Sequence, residues 1–84
     1  MELVWLEDAW DDDLYWQKTD KKVLKRLNQL IKETLLDPFD GIGKPEPLKA
    51  NLTGWWSRRI TGGHRLVYRI EDSHLIIFQC RFHY

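Results

Sequence analysis

Eighty-four residues with a single cysteine, Cys80, exclude an internal disulfide and leave room for one domain, 1–84, around one small hydrophobic core. Lysine plus arginine and aspartate plus glutamate each number 13, and the zero formal net charge speaks against a generally basic nucleic-acid binder. No apolar run approaches the roughly 20 residues of a membrane span, and the N-terminus lacks a basic, apolar leader; the lone thiol suits a reducing compartment, so the expected location is the cytoplasm, with no membrane partner.

The charge is unevenly spread. Residues 1–40 carry six Lys/Arg against ten Asp/Glu, whereas residues 41–84 carry seven against three. An anion-facing half backed by an acidic half fits this asymmetry, and so does ordinary solvated charge.

In chain order, residues 2–6 are apolar and β-branched or aromatic, which suits a strand. Glu7 to Gln17 reads as a short helix with its acidic residues in the first turns, where the helix dipole favours them. Thr19 is the expected cap of a second helix from Asp20 to Leu36, whose Val23, Leu24, Leu27, Leu30, Ile31 and Leu35 recur at helical spacing before Pro38 ends it. Residues 37–54 hold all three prolines, so they form a long but stiff loop, and loops of that length in small domains tend to be functional.

From Trp55 the apolar pattern has period two, with turns at Gly62-Gly63-His64 and Asp72-Ser73-His74. Matching apolar faces pairs Leu66 with Cys80, Tyr68 with Phe78 and Ile70 with Ile76, which sets Arg65 opposite Arg81, and pairs Thr61 with Arg65 in the hairpin before. One sheet face is then apolar and covered by the helices. The other carries Arg59, Arg65, Arg81 and His83. The expected architecture is α+β, two N-terminal helices packed on a small twisted antiparallel sheet.

Arginines opposed on one sheet face repel unless an anion lies between them, and planar guanidinium groups suit phosphate oxygens. A histidine beside them can exchange a proton near neutral pH. Glu46 stands between Pro45 and Pro47, which restrict where its carboxylate points. RNA cleavage by its own 2′-hydroxyl needs a base, a cation facing the phosphorane and an acid for the departing 5′-oxygen. Glu46, Arg65 and His83 supply these types, with Tyr84 available to stack or to orient the phosphate; no metal and no cofactor is expected.

Each residue also has a plainer reading. Glu46 alone is a solvated loop carboxylate, His83 a frayed chain end, Tyr84 a core residue, and Arg58 and Arg59 edge-strand charges. His64 and His74 fall in turns and read as structural or solvated, and Cys80, on the apolar face, reads as core.

Taken together, Pro38-Phe39, the run Gly43-Lys44-Pro45-Glu46-Pro47-Leu48-Lys49, then Gly54-Trp55-Trp56-Ser57-Arg58-Arg59-Ile60, His64-Arg65-Leu66-Val67-Tyr68 and the terminal Cys80-Arg81-Phe82-His83-Tyr84 resemble the YoeB toxins, RelE-like members of bacterial toxin–antitoxin systems. The likeness runs the whole length. It implies a microbial-ribonuclease-like fold and a ribosome-dependent endoribonuclease that cuts mRNA in the A site and so inhibits translation. By the same resemblance Glu46 is the general base, His83 the general acid, Arg65 the transition-state stabiliser and Tyr84 a substrate-holding residue. Lys49 and Arg59 then lie near the scissile phosphate and Lys44 assists RNA binding; Arg81 is added to the RNA-binding set for its place on the polar sheet face, not by the resemblance. The implied partners are the ribosome and mRNA, a second copy of the chain, and a neutralising antitoxin of the YefM type. Two positions depart from the family pattern: Gly62-Gly63 replaces an acidic or polar pair, which could loosen His64 and Arg65, and Arg69 replaces a small residue. The rival readings are a non-catalytic RNA- or partner-binding module, and a related toxin acting on DNA gyrase, which has no use for Glu46 and His83 together.

Overall fold

The computed structural model describes all 84 residues. Strand β1 (Glu2–Trp5) leads into helix α1 (Glu7–Thr19), followed after one residue by α2 (Lys21–Leu36). A loop carrying the short strand β2 (Glu46–Pro47) and a 3-10 turn (Ala50–Leu52) then reaches β3 (Trp56–Thr61), β4 (His64–Glu71) and β5 (His74–Gln79). No helix is long and apolar enough to cross a membrane.

The helices lie where the periodicity places them, but the junction between them differs. Asp20, not Thr19, caps α2: its carboxylate accepts from the amides of Lys22 at 3.1 Å and Val23 at 3.2 Å. Thr19 instead donates its hydroxyl to the carbonyl of Tyr15 at 2.7 Å, closing the last turn of α1. With a single residue between two helices, the first helix claims the threonine and leaves the aspartate for the second.

The sheet order is β1-β5-β4-β3-β2. All pairs are antiparallel except β1 with β5, which run parallel from Glu2 opposite His74 to Trp5 opposite Ile77, so the sheet is mixed and not the antiparallel one expected. The helices cover one face. Ala9 and Trp16 of α1, and Leu27, Leu30 and Ile31 of α2, meet Ile60, Leu66, Tyr68, Leu75, Ile77 and Cys80 in a single core.

The register of the last hairpin also departs from expectation. Glu71 pairs with His74 across a two-residue turn in which Asp72 and Ser73 both have positive φ, 48° and 63°. That is the primed turn whose twist matches a hairpin, and it removes one residue from the three-residue turn expected. Tyr68 therefore faces Ile77, not Phe78, and Leu75 and Ile77 are the fully buried pair. A bulge between Val67 and Tyr68 in the ladder then restores Cys80 to the core. Phe78, expected in the core, is only half-buried and packs on Trp55, with ring centroids 5.1 Å apart. In the preceding hairpin Arg59 pairs with Arg65 and Thr61 with His64, again shifted from the expected Thr61–Arg65 pairing.

Candidate active site

The site is built on the sheet face that the helices leave open. On β3, Trp56, Arg58 and Ile60 point toward the helices, so Ser57 and Arg59 alternate onto the other face, and Arg59 stands opposite Arg65 of β4. Glu46 joins them because β2 pairs with β3 in a register that sets Glu46 opposite Ser57.

Two features hold the loop that delivers Glu46. The Arg58 guanidinium, fully buried, donates to the carbonyls of Asp37, Asp40 and Ile42 and to the hydroxyl of Tyr68. Tyr68 in turn donates to Pro38 O at 2.6 Å, and burial pushes its own phenol above the ordinary tyrosine range. The edge-strand role expected for Arg58 is thus wrong. It shares the inward phase of Ile60, and its charge is spread over backbone carbonyls and not solvated. The second feature is Gly43, at φ 82°, whose carbonyl accepts from the amide of Arg59 at 2.7 Å. A Cβ there would stand 2.8 Å from Leu30 Cδ2 and 3.1 Å from Arg58 Cβ, so the loop reaches β3 only through a glycine.

The chain end folds back onto this face. The Tyr84 hydroxyl lies 3.0 Å from Ser57 Oγ and 3.4 Å from Glu46 Oε1. His83 stacks on the Tyr84 ring, centroids 4.9 Å apart and planes at 19°, with its Nδ1 3.1 Å from Tyr84 O. Arg65 is 7% exposed, and its Nη1 donates to the carbonyls of Thr61, Gly62 and His64 at 2.7, 3.2 and 3.1 Å. The Gly62-Gly63 turn therefore anchors Arg65 by its carbonyls. His64, expected to be an ordinary turn residue, accepts from the amide of Phe82 at 2.8 Å and sets its ring against Trp16.

Of the residues singled out from sequence, Glu46, Tyr84 and His83 are brought together, with Arg59 and Arg65 paired on the same face. Lys44 and Lys49 are exposed on the loop to either side of Glu46. Arg81 does not join them. The expected pairing of Arg65 with Arg81 is absent, because β5 ends at Gln79 and Arg65 bonds through its amide to Phe82 O. The Arg81 guanidinium lies 3.4 Å from the ring centroid of Tyr15 and 4.4 Å from that of Phe82, and lines a cleft with Asp8, Asp11 and Asp12. That cleft lies apart from Glu46, which is exposed. Ser57, which ties Tyr84 to β3, was not anticipated; its outward phase beside the two arginines was the available signal. Arg69 pairs with Glu71 and lies over Trp55, 5.2 Å from its ring centroid.

Two helices on a five-stranded mixed sheet form the α+β fold of the RelE-like toxins. A family model described as the YoeB-like toxin of bacterial type II toxin–antitoxin system matches residues 5–84. The chain is 61% identical to Toxin YoeB of Escherichia coli (strain K12) over 84 residues, the whole of both chains. Among solved structures, the YoeB/ParE toxin from Agrobacterium tumefaciens is 51% identical with a TM-score of 0.97, each chain covered completely. A YoeB dimer from Staphylococcus aureus is 45% identical with a TM-score of 0.92, and the toxin in a YoeB–YefM complex from that organism 44% with 0.91, each over 100% of this chain and 98% of that one. The chain belongs to the YoeB-like toxins of bacterial type II toxin–antitoxin systems.

Proposed function

We propose that this toxin is a ribosome-dependent endoribonuclease that cuts mRNA by acid–base transesterification. The Glu46 carboxylate takes the 2′-OH proton, O2′ attacks the adjacent phosphorus, and the P–O5′ bond breaks as His83 protonates the departing oxygen. The products are a 2′,3′-cyclic phosphate and a 5′-hydroxyl end. Arg65 faces the charge gathering on the phosphorane; its Nη1 is committed to three carbonyls, while Nε and Nη2 make no hydrogen bond within the protein and can serve phosphate oxygens. Tyr84 orients the phosphate, and Lys44, Lys49 and Arg59 draw the backbone onto the face.

The observation that carries this reading is the convergence of the chain end on Glu46: a base candidate, an acid candidate and a phenol meet at one open edge of a face bearing two paired arginines. Glu46, His83 and Tyr84 are all exposed, which suits a substrate already held by a larger assembly such as the ribosome. We further propose that the toxin works in the cytoplasm, pairs with a second copy and is silenced by a YefM-type antitoxin, as the S. aureus dimer and complex support.

The test is translation of a reporter mRNA in a cell-free extract, with primer extension to locate cuts. Unaltered toxin should cleave the message, while Glu46→Ala and His83→Gln abolish cleavage and leave ribosome binding intact. Cleavage that survives both changes would sink the assignment.

A further inference from the structure

We propose that His64 is a positioning residue for the chain-terminal pair His83–Tyr84, acting through a two-sided clamp on the backbone of Phe82; the proposal rests on the nuclease reading for its catalytic consequence, though not for its geometry. Chain ends are ordinarily frayed, and β5 stops at Gln79, so no strand ladder extends to residues 82–84. Yet Phe82 stands at φ 69°, a left-handed conformation unfavourable for a bulky residue, and this reversal turns the chain back toward β3. Burial of its side chain does not hold it there, because Phe82 is 56% exposed.

Hydrogen bonds from two consecutive residues of β4 do. The amide of Phe82 donates to His64 Nδ1 at 2.8 Å, and the carbonyl of Phe82 accepts from the amide of Arg65 at 3.0 Å. A backbone amide can only donate, so His64 Nδ1 must carry a lone pair and the ring proton must sit on Nε2. The ring is itself pre-set. Its plane meets the Trp16 indole at 81° with centroids 4.7 Å apart, and Trp16, 5% exposed, donates its Nε1 to Cys80 O at 2.8 Å. One buried tryptophan thus fixes both the imidazole and the carbonyl two residues before Phe82. Because Arg65 supplies the other half of the clamp, the chain end and the proposed phosphate-facing guanidinium are fastened to one short piece of β4. Release of Phe82 would free His83 and leave the Tyr84 phenol to hold the tail alone.

The ring packing and the acceptor are separable by mutation. His64→Phe keeps an aromatic ring against Trp16 and removes the acceptor. His64→Asn loses the ring and keeps an oxygen where Nδ1 stood. In the intact toxin, His64→Phe should speed hydrogen exchange at the Phe82 amide and lower kcat for ribosome-dependent mRNA cleavage about 10- to 100-fold with little change in KM. His64→Asn should restore most of both. Unchanged Phe82 exchange in His64→Phe overturns the proposal, because the retained ring would then be the whole effect, and so does a His64→Asn variant as impaired as His64→Phe, because the restored acceptor would then restore nothing. In the unaltered protein, nitrogen-15 spectroscopy should find Nδ1 unprotonated, and a protonated Nδ1 overturns the clamp whatever the variants do. If the unaltered toxin cuts no mRNA, the nuclease reading fails, and Phe82 exchange in the two variants still decides for or against the clamp.

Discussion

The phenolic hydroxyl of Tyr84 lies 3.0 Å from Ser57 Oγ, joining the last residue of the chain to the middle of β3. Ser57 is 1% exposed and this is its side chain's one hydrogen bond, so the contact cannot be exchanged for water without moving the chain end. Because Ser57 stands opposite Glu46, the same bond brings the phenol within 3.4 Å of the Glu46 carboxylate.

Removing one partner of this bond should cost more than removing both. Tyr84→Phe strands a buried serine hydroxyl, a loss of about 1–3 kcal/mol. Adding Ser57→Ala to Tyr84→Phe removes the stranded group and should recover part of that loss. Urea denaturation of the two single variants and the double variant measures the coupling, and strict additivity would show that the bond contributes nothing.

Arg58 should resist even conservative replacement. A lysine ammonium cannot span three carbonyls and a phenol that a planar guanidinium reaches together. Arg58→Lys and Arg58→Met should each destabilise the fold by about 3–5 kcal/mol, since they leave buried acceptors unpaired. In the loop, proteolysis between Asp37 and Lys44 should accelerate. A variant with the parent's melting temperature and protease resistance would contradict this account.

Truncations on the two sheet faces should differ. Leu27 is fully buried under the sheet, and Leu27→Ala should cost about 2–5 kcal/mol. Phe78 is half-buried and packs on Trp55, so Phe78→Ala should cost clearly less in the same denaturant series. Equal losses would mean that the bulged register of β5 is misassigned.

Asp12 gives a pH dependence with a definite sign. Burial raises its carboxyl above the ordinary range, incompletely offset by the Cys80 amide that donates to it at 3.0 Å and by the charge of Arg81. A raised folded value means the stabilising contribution is present in acid, below the unfolded carboxylate value, and lost as pH rises through the folded one. Asp12→Asn keeps an oxygen for the Cys80 amide but cannot ionise. Its melting temperature should therefore gain on the parent's from about pH 3 to pH 7, and a gap that stays constant or narrows would reverse the sign.

Helix α2 and strands β3 and β4 were legible in the sequence because each repeats its own period over enough residues, and the loop was legible because it holds all three prolines. The helix junction was not, since Thr19 and Asp20 are both good caps and only the end of α1 decides between them. The last hairpin misled because Leu75, Ile76, Ile77 and Phe78 are all apolar and carry no phase. One residue fewer in the turn then moves Phe78 off the core face. Four residues of β1 hold no information about which strand they join or in which direction.

At the site, residue types were enough to nominate Glu46, Arg65, His83 and Tyr84 as chemically suited groups, and the resemblance assigned them roles. Ser57, Arg58 and His64 escaped because what they do depends on partners 27, 21 and 18 positions away, Tyr84, Asp37 and Phe82. Arg81 was misplaced for the converse reason: alternation was carried past Gln79, where the ladder had already ended. Local periodicity and composition, which act between near neighbours, determined the elements and the chemistry on offer. Only tertiary packing decided strand register, the burial of Arg58 and the return of the chain end to Glu46, because hydrogen bonds between distant segments have no counterpart in the local pattern.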